Sequence, residues 1–345
     1  MSEEKKLTNI SALGEFGLID RLTKDFSNIN ESTELGIGDD AAVLSYSDKK
    51  TVVSTDLLVE GIHFDLMYMP LKHLGYKSIV VNLSDIYAMN AEPKQVTVSL
   101  AISSKFPVEA LEELYEGIHL ACKNYKVDLI GGDTTSSRSG LVISVTAIGE
   151  ANAEDLCYRS GAKEGDLICV TGDLGASYLG LQILEREKQI YLEHPGVQPE
   201  LENAQYLIER HLKPEARRDV IRFFKEAGLK PTAMMDVSDG LSSDIKHICK
   251  QSKVGCEIME AQVPINEDAY HMALNFNIDP ITCALNGGED YELLFTIAPE
   301  DETKIADESA FVIIGQITKA ENGQVLVTKS NNRHPLKAQG WNHFE

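Results

Sequence analysis

The chain has 345 residues, 43% hydrophobic and 25% charged, the balance of a folded globular protein with room for two domains. Its 54 acidic against 32 basic residues leave a formal net charge of −22, which repels bare phosphate backbones and excludes nucleic acid as an expected partner; a small phosphate ligand is expected only where a cation bridges it to the protein. No apolar run approaches the roughly 18 residues that span a bilayer, so no membrane partner is expected. The opening "MSEEKKLTNISALGEF" lacks the apolar stretch of a secretory signal. Six scattered cysteines with no Cys-x-x-Cys pair read as free thiols of a reducing compartment, and the expected location is the cytoplasm.

In chain order, "TVVSTD" (51–56) reads as a short buried strand ending in an acid. "LKHLGYKSIVVNLSDIYAMNAEP" (71–93) has the apolar spacing of a helix, stopped by Asn90 and Pro93. "KQVTVSLAIS" alternates Val96, Val98, Leu100 and Ile102, a strand period. A helix is expected from Pro107 to about Tyr125, with Leu111, Leu114, Tyr115 and Ile118 on one face. "VDLIGGDTT" and "GLVISVTAIGE" follow as strands. Past residue 150, "DLICVTGDLGASYLGLQILERE" reads as strand, Gly-rich turn and helix, residues 186–206 as a polar loop, and "AMMDVSDGLSSDIKHICKQS" as strand, acidic turn and helix. "NGGEDYELLFTI" and "FVIIGQI" supply late strands. The pattern is α/β (α+β) in two lobes, divided near 150–160.

The aspartates recur in one context. "GIGDDAAV" (36–43) sets Asp39 and Asp40 behind a Gly-x-Gly turn, Asp56 closes "VVSTD", Asp85 lies in "VNLSD", Asp133 follows "LIGG", and Asp236 and Asp239 flank the turn of "MMDVSDG". Any one of them is explained by the local preference of Asp for turns and helix caps. With Asp39 and Asp40 counted as one, six such positions after apolar residues or glycine are harder to explain one by one. Two unit charges ~4 Å apart repel by roughly 4 kcal/mol at an effective dielectric of ~20, so converging carboxylates need cations between them. Mg²⁺ is the natural one, because it takes oxygen ligands and is held by one or two carboxylates plus substrate phosphates.

Rival signatures are missing. There is no Walker-type G-x-x-x-x-G-K-[ST], no H-E-x-x-H, no G-x-S-x-G and no nucleophile with its base. "TGDLGAS" (171–177) suits an anion at a helix N-terminus and serves equally as an ordinary turn and cap.

Taken together, "GIGDDAAV", "STDLLVEGIHF", "NLSDIYAMNAEP", "LIGGDTT", "YRSGAKEGD", "VTGDLG", "MDVSDGLSSD" and "GGEDYELLF" occur in the order found in the thiamine-monophosphate kinase family, and the chain resembles that family over 14–344. The wider superfamily includes aminoimidazole ribonucleotide synthetase, selenophosphate synthetase and a hydrogenase-maturation protein. The resemblance implies a two-lobed PurM-like fold: a short N-terminal extension (1–13), an N-terminal lobe (14–150) whose mixed sheet pairs across a homodimer, and a C-terminal α/β lobe (151–345). It implies transfer of the ATP γ-phosphate to thiamine monophosphate, with several Mg²⁺ ions. Carried over motif by motif, Asp40, Ser54, Thr55, Asp56, Asp85, Asp133, Asp236 and Asp239 would hold metal. Tyr115, Gly132, Asp133, Arg159 and Ser238 would contact ATP, and His63, Glu289 and Trp341 the thiamine substrate. No side chain is implied as a general base. Two departures bear on substrate fit: Tyr178 stands where small residues are usual, and the 186–206 segment is long.

The superfamily's other activities fit less well. Selenophosphate synthesis asks for a reactive N-terminal Cys or Sec, whereas the first cysteine here is Cys122. The hydrogenase-maturation role asks for a C-terminal cysteine, whereas this chain ends "NHFE". A non-enzymatic cation-binding protein would account for the acids and leave Arg159 and "GGEDYELLF" without a purpose.

Overall fold

In the computed structural model of the chain, the described residues are 8, 18, 21–35, 43–306, 308 and 310–337. They divide into two compact units, Met1–Ile86 with Ala91–Ala153 and Tyr87–Asn90 with Glu154–Glu345.

The first unit begins with a short antiparallel pair, β1 (Thr33–Leu35) and β2 (Val43–Leu44). β3 (Lys50–Val59), α1 (Leu71–Ala88), β4 (Glu92–Ile102), α2 (Val108–Tyr125), β5 (Asp128–Ser136) and β6 (Val142–Ala151) follow. The four longer strands form one sheet in the order β3-β6-β4-β5, parallel between β4 and β5 and antiparallel elsewhere. Val96, Val98, Leu100 and Ile102 of β4 are all buried, as their alternation requires. α1 is buried almost all round: Leu74, Ile79, Val80, Leu83 and Ile86 are fully enclosed, and so are the polar Lys77, Ser78 and Asn82. It stops where Asn90 adopts a left-handed backbone (φ 53°). α1 and α2 cross in backbone contact. A Cβ on Gly75 would lie 1.9 Å from the Leu114 carbonyl oxygen, and one on Gly117 1.9 Å from that of Lys72, so neither position admits a side chain.

The acid that opens β5 is structural. Asp128, buried, accepts from Ile29 N (2.7 Å), Asn30 N (3.1 Å) and Thr33 Oγ1 (2.6 Å), which ties β1 to the sheet. The opposite sheet face stays open: Val53 and Leu57 of β3 are 60% and 53% exposed.

The second unit contains β7 (Leu167–Thr171), α3 (Ala176–Glu193), α4 (Gln205–Leu212), α5 (Arg218–Ala227), β8 (Ala233–Asp236), α6 (Leu241–Ser252), β9 (Gly255–Met259), α7 (Glu267–Asn275), α8 (Pro280–Asn286), β10 (Leu293–Ile297), β11 (Phe311–Thr318), β12 (Gln324–Val327) and β13 (Arg333–Pro335). Its seven-stranded sheet runs β13-β12-β9-β11-β7-β10-β8, antiparallel except for the β12–β9 pair. Both faces are covered. Ile168 and Val170 of β7 pack with Leu241, Ile245 and Ile248 of α6, whereas Cys169 faces Val220 and Phe224 of α5. Burial on both faces explains the near-continuous apolar runs of "LICVT" and "LLFTI".

Two sequence expectations shift. Asp56 lies within β3, which runs on to Val59, and does not close a strand. Residues 186–193, expected as loop, continue α3, held in part by the Glu185–Lys188 and Arg186–Glu187 pairs.

Candidate active site

Within the first unit, β3 and α1 bring three expected residues together. Register sets Asp56, Val145, Val98 and Gly132 in one row across the sheet, on the face where Val145 and Val98 are buried. Asp56 N donates to Asn82 Oδ1 at 3.0 Å, and Ser54 Oγ donates to Asp85 Oδ2 at 2.5 Å, so strand and helix are stitched at the acids. Burial, and then the neighbouring Asp85 charge, push the Asp56 carboxyl up to about 6. Thr55 points to the open face, where its Oγ1 donates to Val145 O (3.0 Å) and accepts from Thr146 Oγ1 (3.1 Å). Gly132 has no room for a side chain, since a Cβ would stand 1.8 Å from Val98 O. Asp133 is one residue on, in the row of Ser99, Ser144 and Leu57, exposed, and accepts from Thr134 N at 2.9 Å. It therefore sits on the other side of the sheet from Asp56.

His63 follows β3 in a turn, where its Nδ1 accepts the Val59 N–H at 3.1 Å. With Nδ1 occupied as an acceptor, the neutral ring carries its proton on Nε2. Tyr115 lies in the core of α2, its ring edge-on to Phe26 with centroids 6.4 Å apart; burial raises its phenol to about 12.

In the second unit, the "MDVSDG" and "GGEDYELLF" segments run side by side. Beyond the Asp236–Leu293 pair of β8 and β10, Val237 N donates to Glu292 O (2.8 Å), Tyr291 N to Val237 O (2.9 Å) and Glu289 N to Ser238 O (2.7 Å). Glu289 and Tyr291 hold left-handed backbones, φ 56° and 52°, an arrangement that side chains other than glycine rarely accept and that concentrates at functional loops. At the start of α6, Asp244 Oδ2 accepts the Asp239 N–H at 3.3 Å. Asp244 is almost wholly buried, and its Oδ1 has no hydrogen-bond partner among the described residues. Burial, then Asp236, then Asp239 push its carboxyl up to about 8. Arg159 is exposed; its carbonyl accepts from Ser252 Oγ of α6 (3.2 Å), and its charge, behind burial, lowers the His247 imidazole on the same helix.

Sequence reading missed the remaining acids of "GGEDYELLF". Asp290 caps α3, its oxygens accepting Gly175 N (2.8 Å) and Ser177 N (3.4 Å), and burial raises it to about 7. Glu292 is clamped by Arg210 (3.0 Å) and Arg217 (2.6 Å) and accepts from Thr171 Oγ1 at 2.5 Å. Asp244 was present in "GLSSD", but only the fold sets it against Asp236 and Asp239. The departure at Tyr178 is absorbed locally: its side chain packs where a Gly287 Cβ would stand, 2.6 Å away. Asp40 and Trp341, like Asp39, lie outside the described residues.

Two family models match the chain, "AIR synthase related protein, N-terminal domain" over residues 38–151 and its C-terminal counterpart over 163–328. The thiamine-monophosphate kinase of Bacillus subtilis (strain 168) is 37% identical over 344 residues, covering 96% of this chain and all of that protein. The chain belongs to the thiamine-monophosphate kinase family. A solved member of that family, described as "AaThiL complexed with AMPPCP and TMP", superposes with a TM-score of 0.74 at 33% identity, covering 99% of this chain and 100% of the other. Hydrogenase maturation protein HypE in complex with ATP shares the fold alone, at 20% identity and a TM-score of 0.74 over 96% of this chain and 98% of the other.

Among the described residues, no group of three or more His, Cys, Asp or Glu side chains forms a ready cage for a metal ion. Mg²⁺ does not need one, since one or two carboxylates and the substrate's phosphate oxygens complete its shell. The mutual repulsion of Asp56 with Asp85, and of Asp244 with Asp236 and Asp239, is the electrostatic signature such an ion relieves. The donor chemistry of these residues fits a hard divalent cation such as Mg²⁺.

Proposed function

We propose that the chain phosphorylates thiamine monophosphate with ATP, forming thiamine diphosphate and ADP. The observation that carries this reading is end-to-end similarity to the B. subtilis thiamine-monophosphate kinase. The clustering of the motif residues within each unit supports it.

The reaction needs no general base. A phosphate monoester is largely dianionic at neutral pH, its second pKa lying near ~6, so the acceptor oxygen is already a nucleophile. That oxygen attacks the γ-phosphorus in line, the bond from the γ-phosphorus to the bridging oxygen of ADP breaks, and the electron pair leaves with ADP. Bound Mg²⁺ supplies the charge that lets two polyanions approach. In this reading Asp40, Ser54, Asp56 and Asp85 of the first unit, Thr55 and Asp133 from the opposite sheet face to Asp56, and Asp236 and Asp239 of the second unit would hold the cations. Gly132, Ser238, Arg159 and Tyr115 serve ATP. Ser238 lies against Asp244 and Arg159 against His247, both on α6, where a bridging cation and the Arg159 charge would hold phosphates, whereas Tyr115 can contribute only from the core. His63 offers its Nε2–H, Glu289 its carboxylate and Trp341 its ring to thiamine, whose thiazolium is cationic.

A second copy of the chain is the proposed cover for the open sheet face that exposes Val53 and Leu57. The six buried free cysteines accord with a cytoplasmic, reducing setting. No described helix is long and apolar enough to cross a membrane.

The test is incubation of the purified protein with ATP, Mg²⁺ and thiamine monophosphate, followed by chromatographic separation of thiamine diphosphate. Product formation abolished by EDTA is the expected result. ATP binding by a folded protein that forms no thiamine diphosphate would sink the proposal.

A further inference from the structure

We propose that His211 is a positioning residue that holds the Glu289 carboxylate in place for the thiamine-bearing substrate. The inference rests on the assignment of Glu289 to that substrate. His211 lies on α4, 2% exposed, with Nδ1 3.3 Å from Glu289 Oε2 and 3.4 Å from Ser177 Oγ in the first turn of α3.

The backbone around Glu289 is over-determined: the left-handed φ, the N–H bond to Ser238 O and the Asp290 cap on α3 all fix its Cα. None of these restrains the side chain, which is 31% exposed and has three torsions of its own. His211 reaches the carboxylate itself.

The protonation state follows from geometry. A bare Nδ1 lone pair facing Glu289 Oε2 would set two acceptors against each other, so Nδ1 carries the proton and donates it, with Ser177 Oγ flanking the same N–H.

Two features are built to bring the ring there. Gly180 lets α4 lie against α3, since a Cβ at that position would stand 2.1 Å from Leu207 O and 3.1 Å from His211 Cβ. A glycine inside a helix is otherwise destabilising, so its presence in α3 has this close approach as its reason. Next to His211, Arg210 pairs with Glu292 and donates to Asp290 O at 3.3 Å and Asp173 O at 3.1 Å. Consecutive residues of α4 thus grip the "GGEDYELLF" segment at Glu289, Asp290 and Glu292.

The experiment measures KM for thiamine monophosphate and for ATP separately in His211→Leu, His211→Asn, Glu289→Gln and the Leu/Gln double variant, with thiamine monophosphate affinity read directly by calorimetry. Losing one charge-assisted hydrogen bond that orients a binding group should raise KM for thiamine monophosphate about tenfold in His211→Leu, with kcat and KM for ATP within about twofold. His211→Asn, whose amide can donate from near the Nδ1 position, should recover most of the affinity. The double variant should bind no more weakly than Glu289→Gln alone, because His211 acts through that carboxylate. Should the Leu variant not fold, His211→Gln, which reaches toward the Nε2 position instead, carries the same expectation. Wild-type KM in the Leu or Gln variant, or losses that add fully in the double variant, overturns the role of His211. An unchanged KM in Glu289→Gln overturns the assignment of Glu289 beneath it, a distinct failure.

Discussion

Asp56 in the first unit and Glu292 in the second are both acids of family motifs, and the fold treats them in opposite ways. Glu292 is 3% exposed at its side chain and is gripped by two arginines and a threonine hydroxyl. Asp56 meets another carboxylate, Asp85, whose charge adds to burial in raising its pKa to about 6. A buried carboxylate between guanidinium groups is satisfied and rigid, and its ion pairs hold β7, β10, α4 and the start of α5 to one another. A buried carboxylate held against a second one carries electrostatic free energy that a cation would release. Neighbours thus divide the acidic motif residues of one family into those clamped by the protein's own cations and those left against another acid, which the proposed function sets to work on Mg²⁺.

The largest expected effect breaks the clamped half. Glu292→Ala leaves Arg210 and Arg217 without their shared partner and should lower the stability of the second unit by about 3–5 kcal/mol, read as a fall in the urea midpoint. An unchanged midpoint would mean that Glu292 is not the keystone of these loops. The counterpart in the working half is Asp85→Asn, which should lower turnover by roughly 100-fold or more, about 2.7 kcal/mol in the barrier, while leaving the midpoint unchanged or slightly raised. If Asp85→Asn unfolds the protein and spares turnover in what remains folded, the division between the two halves collapses.

Acidity sharpens the comparison further. Asp290 is raised to about 7 by burial, against an ordinary carboxylate value near ~3.9 in the unfolded chain. Between those values the folded protein keeps a proton that the unfolded chain has released. Its contribution is therefore fully present below the ordinary value and is lost as pH rises through about 7, at up to about 1.4 kcal/mol per pH unit. Melting temperatures from pH 5 to 8 should fall more steeply for the wild type than for Asp290→Asn. A parallel decline in both would assign the slope to other groups.

The smallest effect is one of labelling. All six cysteines are buried, and burial pushes the Cys122 and Cys157 thiols up, the latter to about 12, so the native protein should resist thiol reagents. Cys122 belongs to the first unit and the other five to the second. In Glu292→Ala at moderate urea, those five should label before Cys122, which mass spectrometry of the labelled peptides would resolve. Simultaneous labelling of all six would show that the two units unfold as one.

The regular parts of the fold were the most legible in the sequence. The alternation of Val96, Val98, Leu100 and Ile102 and the apolar stripe of Leu111, Leu114 and Ile118 led to β4 and α2, because one buried face imposes a period on the side chains. Residues 186–193 misled because a mostly exposed last turn, with Tyr191 and Leu192 outward, leaves no buried stripe for the helical period to show. At the site, the aspartates were visible as turn-like acids in an acidic chain, and their family order pointed to phosphoryl transfer. The separation of Asp133 from Asp56 across the sheet was not visible, since it depends on the register of β5 against β4, which shifts between Val96 and Thr97.

By itself the sequence determined the family, the two-lobed α/β plan and the acids that the proposed function assigns to cations. Local spacing and motif order are properties of one dimension. Only the tertiary structure decided which acids are clamped, which repel and which are oriented by a neighbour. Thr171 lies 121 positions from Glu292, and Ser177 lies 34 positions from His211. A carboxylate's role is set by the charges and hydrogen bonds within a few ångströms of it, and folding alone brings those groups to it.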